Sequence, residues 1–161
     1  MPDKNEFVTI IKEHQGLIYK VTRFYTNSRE DAEDLYQDIV YQLWKSLGTF
    51  RNESKISTWI YRIALNASIT HLKKEKRKGS HLAVTEELLN KEDTTDTLKE
   101  EQFAIMYDHL KKLNEVEKGI VFLYLEGKSY DEIATITGFT ASNVGTRLSR
   151  IKQKISAEIN K

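Results

Sequence analysis

The sequence predicts an all-α protein made of two small helical domains that are joined by a flexible acidic linker. Over most of the chain, apolar residues recur every three or four positions, which is the period of a helix that buries one face. No alternating pattern typical of strands interrupts this period, and the only proline is Pro2, so proline breaks no internal helix. The helical period is lost over residues 79–97, where threonine and acidic residues predominate. That composition is typical of a mobile linker.

The first domain, residues 1–78, is predicted to contain three helices. The first of them covers roughly residues 4–25. The second is expected to be capped by Asn27 or Ser28 and to end at Gly48, since these residue types satisfy or terminate helix ends. Its apolar positions are Ala32, Leu35, Tyr36, Ile39, Val40, Leu43, Trp44 and Leu47.

The third helix of this domain is expected to begin near Ile56 and to run into a basic segment at residues 73–78. Its apolar positions are Ile56, Trp59, Ile60, Ile63 and Ala67. A second stripe carries Arg62, Asn66, Ile69, Lys73 and Lys76 or Arg77. A basic helix can hold a phosphate backbone, and aromatic side chains can stack on unpaired bases. Trp59 and Tyr61 suit either such stacking or the core.

An acidic stripe is predicted on the second helix. Asp31, Asp34 and Asp38 follow at intervals of three and four residues, with Gln37 alongside, so they share one face. The ordinary interpretation of such a stripe is a solvated helix surface. Since DNA would repel these carboxylates, the functional interpretation is a face that binds a protein.

The second domain, residues 98–161, contains a pattern typical of a helix-turn-helix. Ser129 and Glu132 have the spacing of a capping box, and Gly127 is expected to end the helix before them. Ala134 is small enough for two helices to meet closely, and Gly138 permits the positive φ that the turn needs. The second helix would bury Val144, Leu148 and Ile151.

The opposite face of that helix presents side chains that suit phosphates and base edges in a major groove. These are Ser142, Asn143, Thr146, Arg147 and Arg150, followed by the basic residues Lys152 and Lys154. A plain helical hairpin with a solvated polar face is the alternative. The basic residues on one helix favour DNA.

The distribution of charge supports two modules that face nucleic acid. Residues 1–78 hold 14 basic and 10 acidic residues, net +4, and residues 107–161 hold 9 and 7, net +2. Residues 79–106, with 2 and 7, are net −5. Two basic blocks separated by an acidic one are expected of two DNA-binding modules and a connector.

The residue inventory argues against an enzyme and against a cofactor or metal. Cysteine is absent, and no glycine-rich phosphate loop or paired His/carboxylate metal spacing is visible. The scattered histidines, His14, His71, His81 and His109, are interpreted as ordinary surface or boundary residues. The polar start and the short apolar run at residues 120–125 predict a cytoplasmic protein without membrane insertion.

Four segments together resemble the extracytoplasmic-function (ECF) sigma factors of bacterial RNA polymerase. They read DAEDLYQD (31–38), WKSLGTFR (44–51), TWIYRIALN (58–66) and LEGKSYDEIA (125–134). The first three resemble region two of that family, and the last, with the helix that follows, resembles region four. The resemblance covers roughly residues 7–78 and 100–155, so it implies a region-two bundle and a region-four helix-turn-helix.

The resemblance implies a role for each module. Region two docks on the clamp helices of the polymerase β′ subunit, which carries over to Asp34, Leu35, Gln37 and Asp38. It also captures the minus-ten promoter element, and Asn66 is the residue implied to hold a base flipped from the non-template strand. The minus-ten residues are Phe50, Arg51, Asn52, Ser57, Trp59, Tyr61, Arg62, Asn66, Lys73 and Arg77.

Region four is implied to read the minus-thirty-five element and to contact the polymerase β flap. The minus-thirty-five residues are Ser142, Asn143, Thr146, Arg147, Arg150 and Lys152. One departure is Gly145, where the family commonly has a basic residue. A glycine inside a helix costs about 1 kcal/mol relative to alanine. The family also implies an anti-sigma factor as a partner.

Two other classes of function compete with this one. A transcriptional regulator would share the C-terminal helix-turn-helix but join it to a sensing or dimerisation domain. The order of motifs over residues 31–66 separates the two, because such a regulator has no need of it. An enzyme acting on nucleic acid is disfavoured by the inventory given above.

Overall fold

A computed structural model describes residues 3–50, 55–77, 109–110 and 112–159, where six α-helices and no strands are found. The chain divides into two compact units, Met1–Ala83 and Val84–Lys161. The all-α prediction is thereby confirmed. Arg51, Asn52 and the predicted linker at residues 79–97 lie outside the described residues, as does the side chain of Arg77.

Three long helices form the N-terminal unit. They are α1 (Lys4–Tyr25), α2 (Arg29–Ser46) and α3 (Ile56–Arg77), and each packs against the other two. Asp3 caps α1 by accepting a hydrogen bond from the Asn5 amide, and Ser28 caps α2 in the same way for Asp31. The cap of α2 is therefore Ser28 and not Asn27.

The end of α2 differs from the prediction. Gly48 lies within a 3-10 turn, Leu47–Thr49, and does not adopt a positive φ. The helix tightens into this turn, in which the Phe50 amide donates to the Leu47 carbonyl. Gly48 is thus no left-handed cap, and the chain leaves the helix at Phe50 in an extended conformation.

The core of the N-terminal unit is a continuous apolar layer between the three helices. Its most buried members are Ile18, Val21, Leu35, Ile39, Leu43, Ile60, Ala64 and Leu72. The buried hydroxyls of Thr22, Thr26 and Ser68 each donate to the carbonyl four residues earlier, at 2.7–2.8 Å. These polar groups therefore enter the core without a desolvation penalty.

The C-terminal unit contains α4 (Glu115–Leu125), α5 (Tyr130–Thr137) and α6 (Ala141–Ile159). The capping box of Ser129 and Glu132 is present as predicted, and Asn114 and Glu117 form a second one at the start of α4. Gly127 (φ 82°) and Gly138 (φ 88°) both take the left-handed conformation, which confirms the predicted ends of α4 and α5. Only glycine adopts this conformation without steric strain.

The three helices of this unit share one core. Its buried residues are Ile120, Leu123, Ile133, Ile136, Val144, Leu148 and Ile151. The predicted buried face of α6 is confirmed, because Val144, Leu148 and Ile151 are each no more than 2% exposed. Among the described residues of both units, no helix is long and apolar enough to cross a bilayer.

Candidate nucleic-acid interface

The second helix of the helix-turn-helix, α6, presents a polar face to solvent. One face of α6 is buried in the core of the unit, so the residues of the opposite face are exposed to solvent. These are Ser142, Asn143, Thr146 and Arg150. The tight turn at Gly138 sets the angle at which α6 leaves α5, since the Gly138 amide closes α5 onto the Ala134 carbonyl at 2.8 Å. An exposed polar face on the second helix is typical of a helix-turn-helix that enters a major groove.

Arg147 has two side-chain partners within its own unit. Its Nε donates to Oδ1 of Asn143 at 2.7 Å, and its guanidinium carbon lies 4.5 Å from the ring centre of Phe139. Phe139 belongs to the turn after α5 and is half-buried. Sequence reasoning did not identify Phe139 as part of the site, because its contact with Arg147 depends on the angle between two helices.

Lys152 lies on the flank of α6 that faces α4. Its ammonium donates to the Tyr124 hydroxyl at 3.0 Å and lies 4.3 Å from the centre of that ring. This hydrogen bond is the main reason why the pKa of Lys152 is raised above its ordinary value. Lys154 lies 3.7 Å from a carboxylate oxygen of Glu117. Both lysines are therefore engaged by α4.

Gly145 of α6 makes room for an aromatic ring. A Cβ at this position would approach Cε2 of Tyr130 to 3.3 Å and Cδ2 to 3.5 Å. Tyr130 is the first residue of α5 and is 42% exposed. The glycine that departs from the family pattern thus lies beside an exposed tyrosine.

In the N-terminal unit, α3 carries the predicted basic and polar stripe. Arg62, Asn66 and Lys73 are exposed, and their spacing places them on one side of the helix. Thr70 is also exposed and donates to the Asn66 carbonyl at 2.9 Å. These side chains can contact the phosphates or bases of a nucleic-acid strand.

The aromatic residues at the start of α3 face inward. Trp59 is 8% exposed and packs on Phe50, with ring centres 5.0 Å apart, and Tyr61 is 5% exposed. Both rings belong mainly to the core, which disfavours the alternative that they offer stacking platforms to unpaired bases. Phe50 and Ser57 are only half-buried at the rim of the same region.

The acidic stripe of α2 is only partly free. Asp34, Gln37 and Asp38 are exposed, whereas Leu35 is wholly buried and supports α2 from inside the bundle. Asp31 is turned toward α3, where its Oδ1 lies 2.9 Å from Nε2 of His71.

That contact gives His71 a structural partner. Ligand-type atoms of Asp31, His71 and Glu75 lie within 4.8 Å of one another, as a metal ion would require. The 2.9 Å contact already pairs two of these groups, both about four-fifths buried. We therefore interpret the cluster as a link between α2 and α3.

Two aromatic residues extend the exposed face of α2. Tyr41 is 56% exposed and Trp44 is 39% exposed, the latter packing edge-on against Phe7 at 5.0 Å. The apolar period had placed Trp44 in the buried stripe of α2, which is wrong. Trp44 lies at the margin of the apolar stripe of α2, and the apolar period alone does not tell whether a residue at the edge of a buried face is buried or exposed.

Comparison with known proteins covers both units. The model of the sigma-70 region 2 family matches residues 10–78, and that of sigma-70 region 4 matches residues 103–155. The RNA polymerase sigma factor SigV of Bacillus subtilis is 30% identical over 155 residues, covering 96% of this chain and 91% of that protein. The ECF RNA polymerase sigma-E factor of Haemophilus influenzae is 28% identical over 169 residues, covering 98% and 89%.

Solved structures show the same fold. CnrH, solved with the cytosolic domain of CnrY, matches with a TM-score of 0.69 and 19% identity over 98% of this chain and 90% of that one. The sigma factor RpoE of Bartonella quintana, solved with the anti-sigma factor NepR, matches equally well, with a TM-score of 0.69 and 19% identity. It covers 98% of this chain and 96% of that one.

Proposed function

Because the chain belongs to the ECF group of RNA polymerase sigma factors, we propose that α2 docks on core polymerase and that α3 and α6 grip promoter DNA. The observation that carries this proposal is the contrast between neighbouring helices of the N-terminal unit. On α2, Asp34 and Asp38 are exposed carboxylates, whereas α3 exposes Arg62 and Lys73. One small bundle thus offers one surface that repels DNA and one that attracts it.

The proposed protein partner of α2 is the clamp helices of the β′ subunit. Asp34, Gln37 and Asp38 supply acceptors, and Tyr41 and Trp44 supply apolar area on the same exposed side. Aromatic residues beside charged ones are typical of protein interfaces. The β flap is the corresponding partner proposed for the C-terminal unit.

Promoter opening is proposed to depend on differential binding, with no covalent step and no cofactor. Unstacking a base costs a few kcal/mol. Contacts that the protein makes only to the separated strand offset this cost. Since the rings of Trp59 and Tyr61 are buried, hydrogen bonds from exposed groups such as Asn66 are the proposed contacts of α3. Such a factor acts where the polymerase is, in the cytoplasm.

An anti-sigma factor is a further proposed partner. Both solved relatives named above were solved in complex with another protein, which is the anti-sigma factor NepR for RpoE and the cytosolic domain of CnrY for CnrH. The proposal for this chain rests on that likeness of fold. Copurification of the chain with a binding protein that blocks its access to core polymerase would support it.

A charge-neutral double variant of α2 tests the docking surface. Asp34→Asn with Asp38→Asn should weaken binding to core polymerase about tenfold or more, as expected for close charge pairs across an interface. Glu33→Gln is the matched control, because Glu33 is an exposed acid of the same helix that lies 3.6 Å from Arg29. Equal affinity of the double variant and the control, measured by fluorescence anisotropy, would remove α2 as the docking face.

A second variant separates docking from opening. Asn66→Ala should bind core polymerase as the unchanged chain does and should reduce strand separation, read as permanganate reactivity of thymines near the start site. Normal reactivity would show that Asn66 holds no base. If the unchanged chain neither bound the core nor directed initiation on any template, the proposed function itself would be lost.

A further inference from the structure

Arg147 is held on two sides by residues of its own unit. Asn143, one turn earlier on α6, accepts a hydrogen bond from Nε at 2.7 Å, and the Phe139 ring lies 4.5 Å from the guanidinium carbon. We propose that Phe139 and Asn143 are positioning residues that aim Arg147 at a guanine of the upstream promoter element. This inference rests on the proposed function and assigns its base-reading residue.

The hydrogen-bond inventory of Arg147 supports recognition of a base edge. A guanidinium has five N–H donors in a planar fork, and the contact with Asn143 uses the one on Nε. No other hydrogen bond of Arg147 is found among the described residues, so the donors on its Nη groups are available to a ligand. Two parallel donors of arginine match O6 and N7 of guanine in the major groove, which is the commonest specific contact of this kind.

The ring of Phe139 restricts where the guanidinium of Arg147 can lie. A cation within about 6 Å of an aromatic centre is attracted to its face, and the observed 4.5 Å lies well inside this range. A phosphate contact needs only a nearby charge, whereas a bidentate base contact needs a defined plane and direction. Two restraints on one side chain are therefore more useful for reading a base than for holding a phosphate.

The first turn of α6 keeps both positioning residues in place. The Asn143 amide donates to Oγ1 of Thr140 at 3.0 Å, and the Val144 amide donates to the Thr140 carbonyl at 3.0 Å. Phe139 directly precedes Thr140, and its own amide contacts the Thr137 hydroxyl at 3.4 Å. The turn and the reading side chain thus form one hydrogen-bonded unit.

Among the described cations of α6, Arg147 alone is held by two different residues on the outward face. Lys152 also has a hydrogen bond and a ring contact, but both come from the single residue Tyr124 and hold its ammonium on the flank that faces α4. Arg150 is exposed. Arg150 suits a phosphate contact, which adds affinity on every sequence. It is therefore the matched control for Arg147.

The expected loss of guanine preference can be estimated from the conformational freedom of the Arg147 side chain that Phe139 and Asn143 remove. Ordering a flexible side chain at an interface lowers an affinity by roughly 2- to 12-fold. Loss of one partner should therefore reduce the preference for guanine by about this factor at one position. The preferences at other upstream positions should stay unchanged.

The experiment uses holoenzyme assembled from the full chain and core polymerase. Binding to a promoter pool randomised over the upstream element is compared for the unchanged chain, Phe139→Leu, Phe139→Tyr and Asn143→Ala. Phe139→Leu and Asn143→Ala should each lower the guanine preference at the position that Arg147 reads. Phe139→Tyr keeps an aromatic ring and should therefore retain that preference. Arg147→Lys should abolish that preference, and Arg150→Lys should weaken all sequences alike.

Thermal unfolding of each variant separates positioning from general damage, since a purely structural role of Phe139 would lower the stability and the affinity for all sequences together. An unchanged base preference in Phe139→Leu and in Asn143→Ala would overturn the inference while leaving the proposed function intact. A wild-type holoenzyme that selects no upstream sequence would overturn both. Loss of the same preference in Arg150→Lys would assign base reading to Arg150 instead.

Discussion

Replacing Gly145 with alanine is expected to stabilise the C-terminal unit, although the new methyl group meets a neighbour. Glycine inside a helix is less favourable than alanine by about 1 kcal/mol. The added Cβ would lie 3.3 Å from Cε2 of Tyr130, so the ring must move by a few tenths of an ångström. Because Tyr130 is 42% exposed, its ring can move, and we expect a net gain of roughly 0.5 kcal/mol.

Both tryptophans of the chain allow this change to be assigned to one unit. Trp44 and Trp59 lie within Met1–Ala83, so tryptophan fluorescence follows the N-terminal unit alone. Circular dichroism follows the helices of both units. Gly145→Ala should raise the unfolding midpoint of the C-terminal unit by roughly 2–4 °C, as expected for a domain of this size. The fluorescence transition should stay in place.

A lower stability of Gly145→Ala would refute this reasoning. It would mean that the close contact of the new methyl group with Tyr130 costs more free energy than alanine gains over glycine in helix propensity. The double variant with Tyr130→Ala provides the control, because the methyl group then meets no ring. If alanine at position 145 stabilises only in that background, the Tyr130 ring is rigidly held and Gly145 is a packing residue.

Three further changes test individual contacts. Asp31→Ala should destabilise the N-terminal unit by about 1–3 kcal/mol, because it removes the hydrogen-bond partner of the largely buried His71 side chain. Tryptophan fluorescence during urea unfolding measures this loss of stability. A loss below about 0.5 kcal/mol, which is the usual scatter of surface substitutions, would contradict the prediction. Gly138→Ala should lower the stability of the C-terminal unit by about 1 kcal/mol or more, because the φ of residue 138 is 88° and alanine is strained there. An unchanged thermal unfolding midpoint in circular dichroism would show that the turn relaxes to a conformation that suits alanine. Tyr124→Phe should lower the raised pKa of Lys152, as followed by NMR. A pKa raised in the folded state stabilises the fold fully at pH values below the unfolded-state pKa, and this contribution is lost as the pH rises through the raised value. This variant should therefore lower the stability slightly at neutral pH, and the difference from the unchanged chain should vanish at strongly alkaline pH. An unaltered pKa of Lys152 would exclude the hydroxyl as its cause.

The helices and most of their ends were predictable from the sequence because their causes are local, the end of α2 at Gly48 being the exception. Apolar residues three and four positions apart define a buried face within one segment. The predicted caps act within a single turn: they are the capping box of Ser129 and Glu132, the N-cap Ser28, and the left-handed glycines Gly127 and Gly138. The same local character explains why short motifs were enough to identify the family and to disfavour a regulator with an unrelated N-terminal domain.

The candidate site was only partly predictable. Arg62, Asn66 and Arg150 are exposed as the helical period requires, since a residue opposite a buried stripe faces solvent. Trp59 and Tyr61 were ambiguous because an aromatic residue at the edge of a stripe can turn either way. The structure places both in the core and leaves Trp44 exposed.

Contacts between helices were decided by the tertiary structure alone. The pairing of Asp31 with His71 joins residues 40 positions apart, and that of Tyr124 with Lys152 joins residues 28 apart. Such pairs depend on how two helices cross, which no period within either helix encodes. The sequence by itself therefore determined which helices form and what chemistry their faces carry, and the packing angles decided which of those side chains are held and which remain available to a partner.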